Sequence, residues 1–145
     1  MPSVLTILKI NEVNLLMKEK AWPITILKVL LGVLMIFGGI QHFRTPDLYI
    51  PFVPSVLPFV YVIIYLTGLL EILFGTALLI RKWSNAGAWG ILFLMLLFLP
   101  IHVWDVFSET PAIGSQNAAL IRLPVQFLLI FFAWKLKNHV SQKHI

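Results

Sequence analysis

The chain has 145 residues, room for one domain, but 59% of them are hydrophobic, only 12% are charged and the mean hydropathy is +0.92, which excludes a soluble globular protein. The net charge of +5 does not mark a nucleic-acid binder, because Lys and Arg flank apolar segments instead of forming a stripe on one face. Without cysteine there are no disulfides, thiolate metal sites or thiol relays, so any redox role needs a bound cofactor.

What remains is an all-α membrane protein, with the lipid bilayer as its first partner. Residues 1–21 mix apolar and charged positions and carry no small-residue cleavage site after a short apolar core, so a cleaved signal peptide is not expected. They read either as an interfacial helix, with Lys9, Lys18 and Lys20 at the headgroups, or as a poorly ordered extension ahead of Met17-Lys-Glu-Lys-Ala-Trp22. The membrane domain then spans 22–136, followed by a tail at 137–145. Its first span runs from Trp22 to Ile40, with Pro23 suited to the first helical turn.

The second span, Phe59 to Ile80, is about 33 Å long as a helix, enough to cross a hydrocarbon core of about 30 Å. Gly32 and Gly39 on the first span, and Gly68 and Gly75 on the second, repeat one seven-residue spacing. Small residues let membrane helices approach closely, so these two faces are expected to meet in an antiparallel hairpin. The short basic link Arg81–Asn85 forces the third span, Ala86 to Trp104, to lie antiparallel beside the second. Pro100 predicts a kink or a loosened end there. The fourth span covers Ala118 to Leu136, and Pro124 in its first turn would leave Arg122 at the interface.

The fold class is therefore a four-transmembrane-helix antiparallel bundle with a proline-rich outer loop between helices 1 and 2. Lys9, Lys18, Lys20, Lys28, Arg81, Lys82, Lys135, Lys137 and Lys143 fall on one side of it, Arg44 and Arg122 on the other. The positive-inside rule thus puts both termini in the cytoplasm of a multi-pass protein of the cell's inner (plasma) membrane.

That topology gathers the unusual polar residues in the outer half. His42 ends span one, His102 and Asp105 share a face at the end of span three, and Arg122 and Gln126 share one on span four. Glu71 lies about 18 Å below the outer end of span two and forms the floor of the group. An acid at that depth normally faces a bundle interior or a polar cavity. By depth, Gln126 is its expected hydrogen-bond partner and Asp105 the expected partner of Arg122. Without a cation Glu71 is suited to proton exchange or donation to a carbonyl; paired with Arg122 it is a structural anchor.

Between Gln41 and Pro58 four prolines exclude a long helix, while Thr45-Pro46-Asp47 reads as a cap, a first-turn proline and an acid at a positive helix end. Phe43, Tyr49, Phe52 and Val53 make the loop apolar enough either to cover the polar group as a lid or to anchor at the interface.

Gly39-x-x-His42-Phe43-x-x-Pro46-x-x-Tyr49, Pro54-x-x-Leu57-Pro58, Gly68-x-x-Glu71-x-x-x-Gly75 and Arg122-Leu-Pro-x-Gln126, in this order on four spans, resemble the DoxX-like family of small membrane proteins. The resemblance covers about Gly32 to Trp134. It implies a four-helix membrane domain, with some relatives linked to quinone-coupled sulfur oxidation or to membrane redox complexes.

Two functions follow as expectations. In the first, a redox-associated subunit binds a quinone or similar lipophile in the outer half of the bundle. Glu71, His42 and His102, with Gln126, Arg122 and Asp105 beside them, face its oxygens, and Tyr49 and Phe43 cover its ring. In the second, a non-catalytic accessory or assembly protein stabilises a larger membrane complex, and the same polar groups are interhelical bonds that fix helix register. No metal site is expected, since no His-x-x-x-His or Glu-x-x-His pair is present.

Overall fold

The computed structural model describes residues 3–142. They form four helices, α1 (Val4–Arg44), α2 (Val60–Leu79), α3 (Ser84–Phe107) and α4 (Gln116–Gln142), with 3₁₀ turns at Pro46–Phe52 and Arg81–Trp83. Each helix contains a stretch long and apolar enough to cross a membrane: Trp22–Arg44, Val60–Leu79, Arg81–Phe107 (which takes in the short turn before α3) and Gln116–His139. The protein is a four-helix bundle of the multi-pass membrane type.

Helix boundaries depart from the expected ones at two prolines, Pro23 and Pro124. α1 is unbroken through Pro23, so the hydropathy change at Trp22 is not a helix start, and residues 4–21 carry the helix about 27 Å beyond the span. Pro124 lies well inside α4, which begins at Gln116, so Arg122 belongs to the bundle and not to its edge. α3 continues past Pro100 to Phe107. A proline removes only one ladder bond, and where neighbouring helices hold both sides of it, as at Pro124, the helix persists. Residues 137–142 prolong α4 as helix, and Lys143 lies outside the described residues.

The glycine hairpin is present. A Cβ built on Gly39 would stand 2.5 Å from the Gly68 carbonyl oxygen, and one on Gly75 2.8 Å from that of Gly32, so the backbones of α1 and α2 touch. The buried stripe of α2 (Ile64, Gly68, Glu71, Gly75 and Leu78) alternates steps of four and three, the period of one helical face. On α3, Gly87 backs onto the Leu78 backbone and Gly90 onto the Phe74 ring. α2 and α3 are therefore drawn together at the end that bears Arg81 and Lys82, the basic end.

Leu31, Met35, Leu78, Ile91, Leu94, Met95, Ala133 and Leu136 fill that half with an apolar core. Towards the opposite, loop end, α3 presents Leu97, Phe98 and Ile101 in place of glycine, and a cavity opens among the helices. Trp22 and Trp83 at the basic end and Trp104 near the loop end are largely exposed, as aromatic belts at two interfaces require. Lys137 lays its ammonium 4.4 Å over the Trp89 ring at the basic end.

Candidate functional site

His42 reaches the interior because Gly68 faces it from α2; a Cβ there would lie 2.5 Å from the His42 Cβ. Its Nδ1 donates to the Ile64 carbonyl at 3.0 Å, with the Thr67 hydroxyl 3.3 Å away. A carbonyl can only accept, so Nδ1 carries a proton and Nε2 is left to face Glu71. Thr67 spends its own hydroxyl proton on the Ile63 and Ile64 carbonyls, 3.0 and 2.9 Å away.

Glu71 is 8% exposed, and its Oε1 stands 3.8 Å from His42 Nε2. This is ion-pair range but beyond a direct hydrogen bond. Its Oε2 lies over Gly38, where a Cβ would come within 2.9 Å. At that separation the two groups face each other without a direct hydrogen bond, the ring nitrogen opposite the carboxyl group. Gly38 is a part of the site that the sequence analysis did not single out; its adjacency to Gly39 is the only hint the sequence holds.

The loop covers this pair. The Tyr49 ring lies on the His42 ring with centroids 3.7 Å apart, and Phe52 lies under the Arg122 guanidinium at 4.1 Å. Tyr61 donates to Asp47 at 2.9 Å and ties the 3₁₀ turn to the start of α2. Thr45 does not act as a side-chain cap: its hydroxyl donates back to the Gln41 carbonyl. Of the two readings of the loop, the structure shows the cover.

Burial raises the Tyr49 phenol above its ordinary value, the Glu71 carboxylate adds to the rise, and Arg122 opposes it. A raised folded pKa contributes stability that is complete below the unfolded value, about 10, and is lost as pH climbs through the folded one. Titration of tyrosinate absorbance is therefore expected to lose a late-ionising component in Tyr49→Phe, together with the alkaline loss of stability that accompanies it.

Beneath the loop the cavity measures about 480 Å³, within the usual range for a small-molecule site. Glu71, His42, His102, Arg122 and Tyr49 line it, among apolar walls from Val53, Leu57, Ile63, Leu97, Phe98 and Ile101. Among the described residues, His102 Nδ1 and Arg122 Nη1 are buried without a hydrogen-bond partner. Phe52, one of the loop aromatics expected to cover the group, meets Arg122 in particular, a pairing that no spacing in the sequence marks.

Three expected site residues lie elsewhere. Gln126 does not meet Glu71; its amide donates to the Met95 carbonyl at 2.6 Å, an α3–α4 bond below the cavity. Asp105 does not pair with Arg122. Its carboxylate accepts from the Ala112 and Ile113 amides and so holds the α3–α4 connection. Phe43 points away and stacks on Tyr65 at 5.5 Å. Asp105→Leu, which leaves two amides without their acceptor, is expected to destabilise by about 1–3 kcal/mol. Faster amide hydrogen exchange at Ala112 and Ile113, with protection of α2 kept, is the check.

The family model for a domain of unknown function, DUF8561, matches residues 31–137, most of the chain. The chain belongs to this family. The DUF8561 match takes in every cavity-lining residue from Gly38 to Arg122 and excludes residues 1–30. No curated protein and no solved structure matches the chain.

Proposed function

We propose that this protein is a redox-associated subunit of the plasma membrane that binds a quinone or a similar flat lipophile in the loop-end cavity, with its basic end in the cytoplasm. The observation that carries the reading is the cavity itself, with apolar walls, a covering tyrosine, a facing carboxyl–imidazole pair on its floor and two unpartnered nitrogens in its lining. The resemblance to DoxX-like proteins, some of them linked to quinone-coupled oxidation, supports the same reading.

The donor set fits the ligand class. Carbonyl oxygens need donors, which the Arg122 guanidinium offers, as does His102 in the tautomer with its proton on Nδ1; hydroxyl protons need an acceptor, which the Glu71–His42 pair offers. A bound quinone would supply the two-electron chemistry, with electrons exchanged through a partner subunit. The chain's own part is to exclude water with Tyr49 and Phe52 and to hold or release one proton at Glu71 Oε1 or His42 Nε2.

Protein purified in a mild detergent is expected to carry near-stoichiometric quinone by lipid extraction and mass spectrometry, and Glu71→Gln is expected to lose it. Empty protein that co-purifies with membrane partners would instead favour the accessory or assembly role. The Gln126 and Asp105 bonds, which only fix helices and a loop, already suit that role.

A further inference from the structure

The cavity is lined by a cation that has no direct ion pair among the described residues. Arg122 projects into it from α4 with its guanidinium face on Phe52 and its Nη1 unpartnered, and His102 brings a second unpartnered nitrogen, Nδ1, from α3. His102 is 6% exposed, so water does not readily satisfy it. No carboxylate makes a direct ion pair with the guanidinium among the described residues: Asp105, whose charge acts on it from a distance, turns its oxygens to the Ala112 and Ile113 amides, Asp47 accepts from Tyr61, and Glu71 faces His42. A neutral carbonyl would accept a hydrogen bond from the guanidinium without an ion pair, whereas an anionic oxygen supplies both at contact distance.

We infer that the lipophile held in this cavity has an anionic oxygen head, a carboxylate or an ionised ring hydroxyl, bound by Arg122 and His102 with its apolar part along Val53, Leu57, Leu97 and Ile101. This rests on the reading of the cavity as the binding site and adds the charge of the ligand. The same chemistry has two sources, a fatty-acid carboxylate or an acidic hydroxyl on a quinone-like ring.

Equilibrium binding to the full-length protein in a neutral detergent at pH 8 tests it with two matched pairs: palmitate against hexadecanol, and a decyl hydroxybenzoquinone against the decyl benzoquinone without the hydroxyl. In at least one pair the acid is expected to bind about tenfold tighter or more than its neutral partner. Arg122→Gln is expected to abolish that preference, and Arg122→Lys to retain part of it. Whichever pair shows the preference identifies the source.

Equal binding of acid and neutral partner by the wild type overturns the inference, as does a preference that survives in Arg122→Gln. The wild-type comparison decides the matter even if Arg122→Gln fails to fold, as circular dichroism would reveal. Neutral quinone bound without preference for an acid sinks this inference and leaves the proposed function standing. Palmitate bound preferentially without any quinone does the reverse, and binding of no probe removes both.

Discussion

Adding one methyl group at Gly68 is expected to separate α1 from α2 and destroy the site together with the fold. A Cβ there would lie 2.5 Å from the His42 Cβ and 2.9 Å from the Gly39 carbonyl oxygen, and neither can swing aside without moving a helix axis. Overpacking a rigid contact costs about 1–3 kcal/mol and sometimes more, a large share of a small domain's stability. Gly68→Ala and Gly39→Ala should therefore both lower the thermal midpoint sharply. Gly32→Ala should be milder, because the atoms it meets first belong to the flexible Leu79 side chain. Differential scanning fluorimetry on the three variants checks the order; equal effects at Gly32 and Gly68 would contradict the close backbone approach.

The second large effect concerns His42 and Glu71. His42→Leu removes the group facing the Glu71 carboxyl and leaves the Ile64 carbonyl with one donor fewer, so the loss should exceed that of ordinary apolar replacement, about 1–3 kcal/mol for each buried polar group stranded. Replacing Glu71 by Leu in the same chain removes the stranded acid. The double variant is thus expected to be more stable than His42→Leu alone. A double-mutant cycle by chemical denaturation measures the coupling, and strictly additive losses would show that the two groups do not act as a pair.

The parts of this architecture that were legible in the sequence share a physical cause. Span lengths follow from bilayer thickness, and the Gly32/Gly39 and Gly68/Gly75 contacts follow from a seven-residue spacing that only one helical face can produce. The inward orientation of Glu71 follows from the cost of an acid facing lipid. Side-chain partners were much less legible. Gln126 and Asp105 are satisfied by backbone groups, the Met95 carbonyl and the Ala112 and Ile113 amides, and a backbone acceptor or donor leaves no mark in residue identity.

Depth arithmetic failed for a related reason. It located Arg122 by assuming that Pro124 starts a helix, whereas the rest of the bundle holds α4 through that proline and turns Arg122 inward onto Phe52. The loop was ambiguous because its aromatics suit either an interface or a lid. Only the packing of Tyr49 on His42, while Phe43 turns to Tyr65, separates the two.

The central claim is that a lipophile occupies the loop-end cavity above the Glu71–His42 pair. The most direct test is photo-crosslinking of the membrane-embedded protein with a decyl benzoquinone bearing an azide on its ring, followed by peptide mapping. Labels are expected on the Tyr49–Leu57 loop and on the Leu97–His102 segment of α3, and competition by unlabelled quinone is expected to suppress them. Labels spread over lipid-facing residues such as Leu30, Leu69 and Leu128, and unaffected by competition, would contradict the account.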